Sequence, residues 1–313
     1  MDLSLFFAGT AGSVPTARRG MPAVLLRRGG DRLLFDCGEG TQRQLLRSVG
    51  LADVGAVFLT HLHADHWLGL PGMLKSFELR DRDAPLAVYG PPGTAELMRA
   101  MRIVYGRLSY PFDVVELESG DGVEFDGYEV NAFNVRHRGR AFGYAIVEEP
   151  RPGRFDAELA TRLGVPFGPD FGRLQRGEVV DGVRPEQVMG PERPGRRIVL
   201  SGDTAPCDML RVAAHRADVL VHEATFADDE RDRAAQTGHS TARQAAETAL
   251  EAEVRLLALT HVSTRYAGAE IRDEARAIFE PTVLPRDFDL VDVPLPEKGE
   301  PELRRYDAEQ TTA

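Results

Sequence analysis

Cysteine is nearly absent. Only Cys37 and Cys207 occur in 313 residues, which excludes a disulfide framework as the source of stability. Lysine is as scarce, with Lys75 and Lys298 alone, so almost every cation is an arginine. No apolar run approaches the roughly 20 residues that cross a bilayer, and no membrane span is predicted. The opening Met1-Asp2-Leu3-Ser4 lacks the basic stretch of a secretory leader, and its apolar continuation reads as a strand. A reducing, cytoplasmic setting is therefore expected. Positive charge is also short: 38 basic against 49 acidic residues leave a net charge of −11. So acidic a chain is a poor general polyanion binder, and any nucleic-acid contact needs locally placed cations. The 42% of hydrophobic residues suffice for a sizeable core and exclude collagen-like or largely disordered classes.

Glycine and proline punctuate short alternating elements. Period-two patterns predict strands over 3–7, 23–28 and 33–35, with a tight turn at Gly30-Asp31. Helical spacing follows over 41–49, a buried strand over 56–59, and a helix over 68–79. Beyond them come a strand over 85–89, a helix over 94–105, and strands over 114–117, 123–125, 128–134 and 142–147. Between 150 and 195 the chain changes character, with many prolines and glycines, few apolar runs and one short helical candidate over 156–163. Strands over 198–200, 219–221 and 256–259 then alternate with helices over 241–250 and 269–279. The expected fold is α/β: two sheets face to face with helices outside, over residues 1–293, with an arm inserted at 150–195. A polar tail, 294–313, is expected to be partly disordered.

The strongest chemical signal is Thr60-His61-Leu62-His63-Ala64-Asp65-His66, directly after a strand and directly before a helix. Three histidines and an aspartate within six positions crowd more metal-ligand atoms than a core tolerates. Imidazole and carboxylate together suit zinc, and also manganese or iron. Further candidates each follow a strand: His137, Asp203 in Leu200-Ser201-Gly202-Asp203-Thr204, and His261. Any one alone is weak, since a lone His137 reads more readily as a surface residue. Together they form a two-cation set in which Asp203 bridges through its two oxygens.

This run, with His137, Asp203 and His261, resembles the metallo-β-lactamase superfamily. More narrowly, the chain resembles the ribonuclease Z family of tRNA 3′-end endonucleases. That likeness is carried by Phe35-Asp36-Cys37-Gly38-Glu39-Gly40-Thr41-Gln42, His222-Glu223-Ala224-Thr225, Gly238-His239-Ser240 and Thr260-His261-Val262-Ser263-Thr264-Arg265-Tyr266. The resemblance implies a four-layer αβ/βα sandwich with a protruding exosite arm, and two Zn²⁺ per subunit, with Mn²⁺ or Fe²⁺ as alternatives. It assigns one ion to His61, His63 and His137, the other to Asp65, His66 and His261, with Asp203 between them. Asp65 would also accept a proton from the attacking water. His239, oriented by Glu223, would protonate the leaving 3′ oxygen, leaving a 3′-hydroxyl on the tRNA and a 5′-phosphate on the trailer. His222 reads as a supporting residue.

For substrate contacts, the backbone N–H groups at a helix start near Ser240 and Thr241 are expected to offer a phosphate seat, and Arg265 a charge-assisted bond. The stretch 151–197 holds nine arginines against seven acids, a local excess of cations in an acidic chain. Its Gly168-Pro169-Asp170-Phe171-Gly172-Arg173-Leu174 resembles the family's arm tip, which implies that Arg173 and Arg176 meet precursor tRNA. The resemblance further implies a homodimer. Residues 14–20 depart from the family's Pro-Ser-Lys-x-Arg-Asn loop, so the cleavage position is left open. A small-molecule phosphodiesterase, or another hydrolase of the same fold, is the rival enzyme, and a metal-free tRNA-end-binding protein the rival of another class.

Overall fold

Alternation along the strands sorts the apolar side chains into two sets. Leu3, Leu5 and Phe7 point to one face of the first strand, and Phe6 and Ala8 to the other, yet both sets are buried. Strands buried on both faces belong in the middle of a layered structure. The computed structural model describes residues 1–51 and 54–306. Its strands are β1 (Leu3–Gly9), β2 (Ala23–Arg28), β3 (Asp31–Phe35), β4 (Ala56–Phe58), β5 (Leu86–Gly90), β6 (Phe112–Glu116), β7 (Gly122–Phe125) and β8 (Tyr128–Asn134). They continue as β9 (Phe142–Glu148), β10 (Arg197–Leu200), β11 (Val219–Glu223), β12 (Leu256–Thr260), β13 (Thr282–Val283), β14 (Leu290–Asp292) and β15 (Glu302–Arg304). One sheet runs β15-β14-β1-β2-β3-β4-β5-β6 and the other β13-β12-β11-β10-β9-β8-β7.

Inner faces meet through Leu5, Phe7, Leu26, Phe35 and Phe58 on one side and Val130, Tyr144, Ile198 and Val221 on the other. Outer faces bury Phe6, Leu25, Leu34 and Val57 beneath the helices Leu70–Glu78 and Thr94–Tyr105. On the second sheet, Val199, Leu220 and Leu257 pack under Asp208–Ala214, Ala242–Glu251 and Gly268–Arg276. This is a four-layer α/β sandwich. The hydroxyl of Tyr144 crosses between the sheets and donates to the Leu59 carbonyl at 2.7 Å, anchoring the end of β4. At the opposite end of the sandwich, buried Glu148 accepts from Arg28 at 2.8 Å and from Arg196 at 2.7 Å.

Several elements depart from expectation. The first hairpin turns at Gly29-Gly30, with Asp31 already in β3. The helix expected over 41–49 ends at Leu46. The one expected over 68–79 runs over Leu70–Glu78, and a further short helix, Ala64–Trp67, precedes it. Gly69 separates them where the chain touches the Gly38 carbonyl: a Cβ there would lie 2.1 Å from that oxygen. Residues 294–306, expected within a partly disordered tail, instead add β15 to the sheet edge against β14; residues 307–313 lie outside the described ones.

The arm also differs. It holds three short helices, Ala157–Arg162, Pro169–Gln175 and Pro185–Val188, where one was expected. Ala160, Val165, Phe171, Leu174 and Val188 form an apolar cluster of its own. Those residues are scattered among prolines and glycines, so no periodic pattern advertises them. At the base, Arg151 and Arg193 pair as a bridge and both reach Glu297.

Candidate metal centre and active site

Parallel strands that end together deliver their following loops to one place. The ends of β4, β8, β10, β11 and β12 carry His61, His137, Asp203, Glu223 and His261. After β10 the chain turns sharply through Gly202 at φ 58°, where a Cβ would lie 2.8 Å from the Phe142 carbonyl oxygen. Only glycine fits there, and the turn presents Asp203 to both histidine groups.

Three donor groups result. Two clusters share Asp203: His61, His63 and His137 complete one, and Asp65, His66 and His261 the other. The third group is Glu223, His239 and His261, and the donor atoms of each lie within 4.8 Å of one another. Asp203 Oδ2 stands 3.7 Å from His61 Nε2, 3.4 Å from His66 Nε2 and 3.3 Å from His261 Nε2. Asp65 Oδ2 lies 3.5 Å from the same nitrogens of His66 and His261. Donors around a tetrahedral ion with bonds of about 2.0–2.1 Å are separated by roughly 3.3 Å, so the second cluster already has the spacing of a ligand shell.

The hydrogen-bond network specifies which nitrogens face inward. His66 Nδ1–H donates to Asp36 Oδ2 at 2.7 Å, and His137 Nδ1–H to the Gly238 carbonyl at 2.7 Å. His261 Nδ1–H donates to Thr225 Oγ1 at 2.8 Å, because that hydroxyl gives its own proton to Glu223 Oε2 at 2.7 Å. His61 Nδ1–H reaches Thr60 Oγ1 at 3.0 Å. The opposite ring atoms are thereby left as lone pairs. Nε2 of His61 and Nε2 of His137 meet His63 Nδ1 at 2.9 and 3.1 Å. Three ring nitrogens from three histidines thus converge on one point, two of them as lone pairs, the arrangement a cation would occupy. Nε2 of His66 and of His261 are likewise buried, with no hydrogen-bond partner among the described residues. The residues fit divalent metal at both clusters.

Beside them, His239 Nδ1 lies 2.8 Å from Glu223 Oε1 and 3.9 Å from Asp203 Oδ2. The sequence profile of the metallo-β-lactamase superfamily matches residues 22–261. A ribonuclease Z of Natronomonas pharaonis is 50% identical over 309 residues, covering 95% of this chain and 100% of the relative. One from Gemmatimonas aurantiaca is 48% identical over 311 residues, covering 95% and 98%. The crystal structure of the short form of human tRNase Z matches with a TM-score of 0.69 at 28% identity, over 93% of this chain and 100% of that one.

The chain belongs to the ribonuclease Z family of the metallo-β-lactamase superfamily.

Charge states in this ribonuclease Z-family centre follow from the same contacts. Burial, and then His66, hold the His61 imidazole well below the usual histidine range. Burial pulls His66 down too, but Asp203 and Asp36 outweigh it and raise it well above that range, which favours on Nε2 a proton that a bound cation would displace. Burial would raise the Asp203 carboxyl, yet His261 and His66 hold it well below the usual carboxylate range. His239 loses to burial but gains more from Glu223, and is pushed up to about 9.

Three supporting residues carried no assigned role in the sequence reading. Asp36, at φ 58°, orients His66 and accepts from the Thr60 N–H at 2.8 Å. Thr60 shares its hydroxyl between Asp36 and His61. Thr225 links His261 to Glu223. Partners of this kind set the tautomer and ring plane of a ligating histidine. Asp36 and Thr225 lie inside quoted family segments, and that was their one available signal. His222, read as supporting, is fully buried, and its Nδ1 donates to the Glu223 carbonyl at 2.7 Å.

The expected phosphate seat near Ser240 is not available. Ser240 is buried, and its hydroxyl donates to the Thr204 carbonyl at 2.6 Å. The Thr241 N–H goes to Gln244, that of Ala242 to the Phe226 carbonyl, and that of Arg243 to Glu274. The helix start is already capped. Arg265 is exposed and pairs with Glu230 at 3.4 Å, outside the clusters. Arg173 and Arg176 sit on the arm, where Glu178 pairs with both and Asp170 with Arg173. Among the described residues no helix is long and apolar enough to cross a membrane.

Proposed function

We propose that this chain is a zinc-dependent cytoplasmic endoribonuclease that removes the 3′ trailer from precursor tRNA, leaving a 3′-hydroxyl on the tRNA and a 5′-phosphate on the trailer. One observation carries the reading: two donor clusters share Asp203 and abut a buried His239–Glu223 pair. End-to-end similarity to proteins named ribonuclease Z supports it. His61, His63, His137 and Asp203 would hold one ion, and Asp65, His66, His261 and Asp203 the other, two per subunit. The all-nitrogen-and-oxygen donor set also suits Mn²⁺ or Fe²⁺. When bound, such a pair polarises the scissile phosphodiester and lowers the pKa of the attacking water.

The chain's own groups manage the protons. Asp65, a carboxylate on the rim of the second cluster, accepts the proton that water loses. His239 carries a proton on each nitrogen when charged. Glu223 holds the Nδ1 proton, so Nε2 delivers its own to the departing ribose 3′ oxygen. Arm residues Arg173 and Arg176 would meet the tRNA body, in a homodimer. The test is incubation with a 3′-extended precursor tRNA, mapping the cut to the nucleotide. A single cut at the trailer, abolished by chelation, is the expected result. Hydrolysis of a small phosphodiester with the precursor left intact would favour the small-molecule hydrolase instead.

A further inference from the structure

The arm leaves the sandwich after β9 and returns before β10, and the two ends of its stalk run side by side. The Arg151 N–H donates to the Arg193 carbonyl at 2.7 Å, and the Arg193 N–H to the Arg151 carbonyl at 2.9 Å. This pairing is one isolated bridge, not a ladder, so it fixes the spacing of the two ends but not the direction of the arm. Both side chains then turn to a single carboxylate. Arg151 forks onto Glu297, Nη1 to Oε1 at 2.7 Å and Nη2 to Oε2 at 3.1 Å, and Arg193 Nη1 adds a bond to Oε1 at 2.8 Å. Each guanidinium also crosses the stalk, Arg151 to the Pro194 carbonyl at 3.3 Å and Arg193 to the Pro152 carbonyl at 3.1 Å. Glu297 lies outside the arm, in the turn Pro296–Lys298, and its segment is pinned on either side. Arg196 donates to the Val293 carbonyl at 2.8 Å, and Arg255 to the Gly299 carbonyl at 2.6 Å while also holding Asp218, just before β11, at 2.6 Å. Among the described residues no other side-chain hydrogen bond or ion pair joins 151–194 to the remainder of the chain. The arm's apolar cluster packs on itself. Arg151, Arg193 and Glu297 are 22, 34 and 24% exposed. An isolated pair so placed contributes little, but a two-pronged fork shared by two arginines is the geometry in which such a contact counts.

We propose that Glu297 is a positioning residue that clamps both ends of the arm to the sandwich and so fixes the direction in which the arm offers RNA to a metal centre. The substrate in this proposal rests on the ribonuclease reading above; the clamp itself does not. Glu148, at the end of the sandwich opposite the metal centre, is near enough to Arg151 to act on its charge, so the clamp is remote from the reacting atoms. Its influence passes only through Arg151 and Arg193. Freed from Glu297, the arm samples many directions, and only a fraction of them present bound RNA productively. Apparent affinity falls by that fraction, while RNA that is correctly seated reacts as before. The argument is the same whether the arm serves its own metal centre or that of a second copy of the chain.

The test compares the full chain with Glu297→Gln, which keeps the shape and removes the charge, and with Glu297→Asp, which keeps the charge on a shorter side chain. The Gln variant should raise KM for a 3′-extended precursor tRNA by about tenfold, with kcat and turnover of a small phosphodiester within about twofold of the parent. The Asp variant should lie nearer the parent. Spin labels on Phe167→Cys in the arm and Val212→Cys on the sandwich, with Cys207→Ser and dilution by unlabelled chain, report the arm's direction without RNA. Phe167 and Val212 are 90% and 68% exposed, and Cys37 is buried. The distance distribution should be narrow in the parent and broad with Glu297→Gln. Salt at about 1 M, where screening acts over about 3 Å, should broaden the parent towards the variant and leave the variant as it was. A distribution that Glu297→Gln does not broaden overturns the proposal, and so does an unchanged KM where the parent cuts the precursor. If the distribution broadens but the parent never cuts precursor tRNA, the ribonuclease reading fails while the clamp stands.

Discussion

His239 and Glu223 stand 2.8 Å apart, nitrogen to carboxylate oxygen, one on a loop and the other at the end of β11, sixteen positions apart in the chain. Glu223 is fully enclosed, with its second oxygen taken by the Thr225 hydroxyl and backbone N–H. A buried carboxylate so tied cannot turn away, so it holds the imidazole in one plane and one tautomer. Replacing His239 with Ala should lower kcat on precursor tRNA by about 10²–10⁴ while leaving metal content, by elemental analysis, near that of the parent. Loss of metal together with activity would move His239 from proton donor to ligand.

Asp203 is shared by both clusters, whereas Asp36 stands behind them, against His66 Nδ1 and Thr60. Removing them should therefore have different consequences. Asp203→Ala should empty both sites. Asp36→Ala should retain both but weaken metal affinity by about 10–100-fold, the usual cost of losing such a partner. Competition with a chromophoric chelator reads the difference; equal metal loss in the two variants would contradict the assigned roles.

The arm closes on itself, and its two ends meet at the sandwich. The Gly190 N–H donates to the Arg154 carbonyl at 2.8 Å, and a Cβ at Gly153 would lie 1.8 Å from the Gly190 carbonyl oxygen. Deleting 155–192 and joining the ends with a short glycine linker should therefore leave the sandwich folded. Cleavage of precursor tRNA should drop severely while hydrolysis of a small phosphodiester survives. Equal loss on both substrates would point to a folding role for the arm.

Glu148 bridges the sheets from a buried position between Arg28 and Arg196. Burial pushes its carboxyl up, but the hydrogen bonds from Arg196 and Arg28 win and bring it down to about 2. A folded pKa below the unfolded one, 4.5, contributes stability at neutral pH that disappears as pH falls through that window. The depression corresponds to about 3 kcal/mol. Glu148→Gln should lower the melting temperature at pH 7, and the gap to the parent should narrow between about pH 4.5 and pH 2. A gap independent of pH would show that packing, not charge, holds this joint.

Much of the centre could be read before folding was considered. His61, His63, Asp65 and His66 sit within six positions, and His137, Asp203 and His261 each close a strand whose alternation is plain. Strand ends converge in layered α/β structures, so donors at strand ends converge with them. Asp36 and Thr225 carry no such mark, because an aspartate after a strand and a threonine after Ala224 are common. Only the meeting of β3 with β4, and of β11 with β12, shows that one backs His66 and the other His261.

The helix near Ser240 is the converse case. From its local pattern its first N–H groups are open donors, but Glu274, thirty-one positions away from Arg243, occupies one of them and the Phe226 carbonyl another. The arm core and β15 were likewise decided at a distance, since isolated apolar residues between prolines become a cluster, and a polar tail a strand, once a partner surface is in place. Short-range order along the chain was thus enough to specify the donor types, the strand periods and the layer count. Which hydrogen-bonding groups remained free, and which arginines came to meet at Glu297, depended on contacts between segments distant in sequence, where satisfying buried polar groups, not local preference, decides the outcome.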